Sequence, residues 1–282
     1  MNARPSKAQA ESIRAKLANL ARSRGHPYDK LMTIFLLERA ALRLVADEVL
    51  ARHIIFKGGY VVLRVYNSPR YTTDLDALLR GLPPEEAMAR IRMAVEANLG
   101  DAVWYVYEET VDLKTQGEYG GTRLVFRAGI GEQLTDLTRA QVIKLDFGIG
   151  DPVVPKPLTI VTKLTLGEGE LSWQVYRVET ILAEKLHALV TLGARNSRSK
   201  DVFDVNLLLP QAALEDLKSA LTATFAFRGD PLPTSLADTI MANDRRLLRA
   251  GWQSALRAVS DAFREFDETY DLLVEQLRAR GL

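Results

Sequence analysis

The 282-residue chain is 47% apolar and 26% charged, enough for one large core or two modest ones, and its 37 basic and 36 acidic residues nearly cancel. That balance excludes a polycation that coats nucleic acid non-specifically, so any nucleic-acid site must be a local patch. The lack of cysteine excludes disulfides, thiolate metal sites and cysteine nucleophiles, and three histidines, His26, His53 and His187, leave little for zinc.

The opening "MNARPSKAQAES" has no apolar core of the signal-peptide type, and no uninterrupted apolar run approaches the ~20 residues needed to span a bilayer, so cytoplasmic residence without membrane association is expected. Residues 6 to 24 and 28 to 51 read as helices, the second carrying apolar positions at helical spacing after Pro27. Arg4, Lys7, Arg14, Lys16, Arg22 and Arg24 stand against the single acid Glu11 in the first 26 residues. This basic arm reads as a solvated helix face or, more specifically, as a surface for RNA.

"HIIF" follows as a short strand, then a glycine pair, a short helix through "YVVLRVY", and a strand holding two aspartates. A helix is expected over 84 to 98, then two strand-like runs, "AVWYVYEETVDL" and "GTRLVFRA", joined by the turn-rich "QGEYGG". "QVIKLDFGIG" is a further strand, and prolines keep "PVVPKPLTIV" extended. From about residue 177 the chain reads as helical, with a break at "RGDPLPTS" and amphipathic helices at the end. The pattern implies an α+β or α/β lobe over 1–165 and a mainly helical lobe over 166–282.

Chemistry concentrates in few places. In a strand, Asp74 and Asp76 share a face while Leu75 and Ala77 point away. Carboxylates spaced roughly 7 Å apart along a strand can converge on paired hard cations such as magnesium, which sit about 3.5–4 Å apart in two-metal sites. Asp-x-Asp by itself occurs by chance in many exposed strands. Lys144 and Asp146 of "VIKLDF" also share one face, opposite Ile143, Leu145 and Phe147, and a third carboxylate is what metal-assisted attack by a hydroxyl requires. Lys57, Gly58 and Gly59 form a turn where the backbone can approach a phosphate closely, although the pattern is not a Walker A loop.

In "VETILAEKLHALV", Val178, Ile181, Leu182, Leu186 and Leu189 form an apolar stripe that includes Lys185. Such a lysine must either snorkel or meet an anion, and phosphate is the anion the glycine turn suggests. Glu179, Glu184 and His187 fall outside the stripe, so His187 is expected to be exposed. "RNSRSKDVFDVNLLL" adds Arg195, Arg198 and Lys200, candidate RNA contacts, followed by Asp201 and Asp204. Asp201 can complement a helix dipole, whereas Asp204, among Val202, Phe203, Val205 and Leu208, needs a partner such as Lys185, Arg198 or substrate.

The ordered set "FKGG", "RYTTDLD", "VIKLDF", "ETILAEKLHAL" and "RSKDVFDV", spanning residues 56 to 205, resembles the nucleotidyltransferase-fold toxins of the AbiEii kind, which include the mycobacterial MenT group. The resemblance implies an α+β fold: a polymerase-beta-like core, a mixed sheet flanked by helices, followed by a helical lobe contributing Lys185 and Asp204 to the cleft. It carries nucleotide binding to Lys57, Gly58, Gly59, Thr72, Lys185 and Asp201, and magnesium binding to Asp74, Asp76 and Asp146. The family's later essential aspartate matches either Asp201 or Asp204. Thr72 stands where the family commonly has serine, and Gly58-Gly59 stands where Gly-Ser is frequent, so a serine contact to phosphate is missing. A toxin is implied that moves nucleotides from an NTP to RNA, with the tRNA acceptor end as expected substrate and a cognate antitoxin as restraint. Two other readings are weighed beside it: nucleotidylation of a small molecule such as an aminoglycoside, and a non-catalytic scaffold, against which the intact Asp74, Asp76 and Asp146 argue.

Overall fold

The computed structural model describes residues 7–113, 120–191, 199–256 and 265–282. Seven strands form one mixed sheet: β1 (Ile54–Lys57), β2 (Asp74–Leu79), β3 (Val103–Asp112), β4 (Gly121–Ile130), β5 (Gln141–Ile149), β6 (Leu158–Lys163) and β7 (Glu170–Val175), in the order β3-β4-β5-β2-β1-β7-β6. β3, β4 and β5 run antiparallel in succession, β5 pairs parallel with β2, β2 antiparallel with β1, and β1 parallel with β7. The helices are α1 (Lys7–Arg24), α2 (Tyr28–Ala46), α3 (Glu48–His53), α4 (Gly58–Arg64), α5 (Pro84–Glu96), α6 (Val178–Thr191), α7 (Ser199–Leu208), α8 (Leu214–Arg228), α9 (Leu236–Met241), α10 (Arg245–Ala250), α11 (Trp252–Leu256) and α12 (Phe266–Ala279). Among the described residues, no helix is long and apolar enough to cross a membrane.

The chain forms two compact units, one comprising Met1–Tyr60, Tyr71–Gly150 and Thr159–Val175, the other Val61–Arg70, Asp151–Leu158 and Tyr176–Leu282. The chain therefore passes between units several times, where composition suggests a single boundary near 165. β7 accounts for part of this difference. Its residues Leu171, Trp173 and Val175 are buried in alternation with exposed or half-buried neighbours, and the strand pairs beside β1.

In the first unit, β1 buries Ile54, Ile55 and Phe56 consecutively, as expected of an interior strand covered on both faces. β2 as far as Ala77, and β5, instead alternate, burying Leu75, Ala77, Ile143, Leu145 and Phe147 and leaving their charged residues half-buried on the opposite face. Helix α2 packs on the sheet and on α1, α3 and α5. The helix expected over 28–51 is broken at Asp47, whose extended backbone ends α2 and whose carboxylate accepts the Val49 and Leu50 N–H groups to cap α3. Arg43 of α2 is wholly buried yet satisfied: it forks onto Asp101 at 2.9 and 2.8 Å and donates to the carbonyls of Arg39, Ala97 and Val103.

In the second unit, α6 packs against α7, α8 and α9, and this changes the reading of its polar side. His187 is fully buried rather than exposed, and Glu179 is buried too, accepting the Ala213 N–H at 2.9 Å. A single apolar stripe describes a helix with one packing partner, whereas α6 has several. His187 lies 2.8 Å from Asp230 through Nε2, while Arg228 approaches Nδ1 at 3.1 Å. Arg228 can only donate, so Nδ1 accepts and the proton resides on Nε2. Burial, with Arg228 assisting against the pull of Asp230, holds the imidazole below its ordinary pKa.

Arg43→Met keeps the buried stem but strands Asp101 and the Ala97 and Val103 carbonyls. Urea unfolding is expected to show a loss of about 3–5 kcal/mol with an unchanged m value.

Candidate active site

Strand register decides which charges meet. β2 and β5 set Asp74 opposite Lys144 and Asp76 opposite Asp146, β1 sets Lys57 opposite Asp76, and β4 sets Arg123 opposite Asp146. Opposed residues point to the same face, so Lys57, Asp76, Asp146 and Arg123 form one row across four adjacent strands, with Asp74 and Lys144 in the next row on that face. Asp76 and Asp146 are like charges directly across a ladder, an arrangement that destabilises a sheet unless cations answer it. Arg123 does so by a fork, Nε to Oδ1 and Nη2 to Oδ2, each at 2.7 Å.

The glycine turn is built against this row. Gly58 has φ +67°, a backbone conformation that side chains disfavour, and a Cβ placed there would lie 1.9 Å from Oδ2, 2.5 Å from Cγ and 2.7 Å from Cβ of Asp76. The clash reaches the root of the aspartate, so rotating its carboxylate away does not relieve it. Gly59 is the second residue of α4, immediately after this contact. Thr72 is buried and its hydroxyl donates to Asp74 Oδ1 at 2.5 Å, orienting the first aspartate of the pair.

Three hard-oxygen carboxylates on one face are the donor chemistry that magnesium takes, and in that respect the residues fit the metal that the sequence implies. Among the described residues, however, no three His, Cys, Asp or Glu side chains are gathered tightly enough to hold an ion. Both oxygens of Asp146 are turned to Arg123.

The later candidates meet in the second unit. Lys185 Nζ lies 2.7 Å from Asp201 Oδ1 and 2.8 Å from Asp204 Oδ2, and Arg70 forks onto Asp204 at 3.0 and 2.7 Å. Two cations face two carboxylates, so the quartet is neutral, and the Asp201 and Asp204 side chains are 3% and 0% exposed. Burial would push the Asp204 carboxyl up, but Lys185 and Arg70 outweigh it and hold the group well below the usual carboxylate range. Burial would likewise lower Lys185, and the two aspartates instead raise it. The anions that explain a lysine in an apolar stripe are thus Asp201 and Asp204. The choice between these aspartates does not arise for Lys185, which uses both.

Arg70 and Arg123 are the residues that sequence reasoning overlooks. Arg123 alternates with buried Leu124 and Phe126 just as Asp146 alternates with Leu145 and Phe147, but only register joins them. Arg70 lies 134 positions from Asp204. Of the candidate RNA contacts, Lys200 is exposed on α7, while Arg195 and Arg198 lie outside the described residues. Lys7, Lys16, Arg22 and Arg24 are exposed on α1, and Arg14 donates to the Ile130 carbonyl.

Gly58→Ala is expected to cost about 1–3 kcal/mol in thermal or chemical unfolding and to displace Asp76. Lys185→Met removes the cation that Asp201 and Asp204 share, and is expected to lower unfolding stability by about 3–5 kcal/mol; a snorkelling lysine would cost almost nothing.

The family model for the nucleotidyl transferase AbiEii toxin of type IV toxin–antitoxin systems matches residues 40–272, a span containing the carboxylate row and the quartet. No curated protein sequence matches the chain. Among solved structures, MenT4, a nucleotidyltransferase toxin from Mycobacterium tuberculosis H37Rv, has a similar fold, with a TM-score of 0.57, 16% identity, and coverage of 94% of this chain and 98% of that one. JHP933 from Helicobacter pylori gives a TM-score of 0.48 at 18% identity, covering 87% of this chain and 89% of its own. The family match runs through most of the chain: the chain belongs to the AbiEii nucleotidyltransferase toxin family.

Proposed function

We propose that this toxin transfers nucleotides from an NTP to the 3′ end of RNA in the cytoplasm, with the tRNA acceptor end as substrate, so that translation stops, and that a cognate antitoxin restrains it. The observation that carries the reading is the row of Asp76 and Asp146 with Asp74 beside it, lying against the close-packed Gly58 turn. Magnesium held by these three carboxylates would supply charge neutralisation of the triphosphate and activation of the attacking hydroxyl.

The remaining roles fall to the chain itself. Thr72 fixes the rotamer of Asp74 through its 2.5 Å hydrogen bond. Gly58 and Gly59 let backbone come close to phosphate oxygens where a side chain would intervene, and Lys57, opposite Asp76, adds a positive charge for the phosphates. Asp146 accepts the proton of the RNA hydroxyl as its oxygen attacks the α-phosphorus, and the bond to pyrophosphate breaks. In the second unit, Asp201 and Asp204 take two of the three N–H donors of the Lys185 ammonium. Exposed Lys7, Lys16, Arg22 and Arg24 on α1, and Lys200 with Arg195 and Arg198, favour a polyanionic acceptor over a small molecule.

Incubation with labelled NTPs, magnesium and either total RNA or an aminoglycoside panel tests the reading. Label is expected in RNA, to disappear when the terminal ribose has been oxidised with periodate, and to fall at least about 100-fold in a folded Asp76→Asn variant. Equal labelling of oxidised RNA would rule out the acceptor-end mechanism, and label confined to aminoglycosides would put the small-molecule reading in its place.

A further inference from the structure

Resting on the metal reading of the carboxylate row, we infer that Arg123 is a built-in counter-ion that holds Asp146 in the metal-free protein and competes with a divalent cation for it. Each of the three carboxylates on this face has a cation at a paired register position: Lys144 beside Asp74, Lys57 beside Asp76, Arg123 beside Asp146. The sheet thus matches three negative charges with three positive ones from its own strands, and the acidic face can fold without a metal. Arg123 differs in how it engages. Its guanidinium spans both oxygens of Asp146 at 2.7 Å, the bidentate geometry in which a charge-assisted pair is strongest.

Burial strengthens the pair further. The Arg123 and Asp146 side chains are 19% and 12% exposed, so water screens them less than an ordinary surface ion pair. Arginine keeps its charge throughout the physiological range, so Asp146 is not released by a proton leaving its partner. Release requires the guanidinium to move off the carboxylate, which happens when a stronger cation takes those oxygens. The fork engages both oxygens of Asp146, so a divalent ion that draws on the same carboxylate charge weakens it. Arg123 therefore sets a threshold: weakly bound or scarce cations leave the row closed, and binding must offset the loss of the fork. Asp76 and Asp146 stand opposite each other in the ladder, so the counter-ion also relieves their repulsion in the closed state.

The test is calorimetric titration of the full chain with Mn2+ alone, together with melting curves with and without Mn2+, for the parent protein and for Arg123→Gln, Arg123→Lys and Asp76→Asn. Arg123→Gln is expected to bind Mn2+ at least about tenfold more tightly, to melt lower than the parent without metal, and to gain more from added Mn2+. Arg123→Lys, which keeps the charge but not the fork, is expected to fall between the two and serves in its place should Arg123→Gln not fold. Asp76→Asn is expected to bind weakly or not at all. If Arg123→Gln, or Arg123→Lys in its place, binds Mn2+ no more tightly than the parent while Asp76→Asn loses binding, the counter-ion inference is overturned and the metal reading stands. If Asp76→Asn binds as the parent does, or the parent takes no metal, the metal reading itself is overturned and the inference goes with it.

Discussion

Like charges placed side by side on one face of a sheet repel, and the arrangement of the first unit follows from how the chain answers that repulsion. Asp76 and Asp146 are neighbours across the parallel β2–β5 ladder, with Asp74 one step along. A sheet carrying only these acids would lose stability at the β2–β5 ladder, where Asp76 and Asp146 face each other. The flanking strands therefore bring cations to the same positions, Lys57 from β1, Arg123 from β4 and Lys144 within β5 itself. The opposite face of β2 and β5 is apolar and buried, which fixes the register, because a one-residue slip would turn the acids into the core.

The same constraint explains the turn after β1. Lys57 must reach the row, and the chain must then leave it within a residue or two to begin α4. That path runs against Asp76, and the positive φ and missing Cβ of Gly58 make it possible. What resembles a flexible loop element in the sequence is a close packing contact. It brings main chain, rather than a side chain, beside the carboxylate where phosphate chemistry is proposed.

The second unit solves a related problem in a drier setting. Buried Asp204 stays charged because Lys185 and Arg70 flank it, and Lys185 also reaches Asp201, so one lysine ties both aspartates together. Helix α6 is covered on several sides, so residues on its nominally polar side, Glu179 and His187, also had to find partners inside the protein, at Ala213 and Asp230. The polar residues of α6 therefore hold elements together.

Periodicity alone was sufficient for much of this molecule. Alternation in "DLDALL" and "VIKLDF" separates acid from core because a strand places successive side chains on opposite faces, and that local rule holds whatever the strand pairs with. The two long N-terminal helices, the β3–β4 hairpin strands and the three carboxylates were legible for the same reason, and the ordered motifs pointed to the family. Tertiary structure alone decided which charges meet. That Arg123 forks onto Asp146, that Arg70 reaches Asp204 from 134 residues away, that β7 joins the sheet beside β1, and that His187 is buried all depend on register and on which elements pack together. Hydrophobic spacing reports how one element divides between core and surface; it has no term for partners distant in the chain, and ionic contacts are made between such partners.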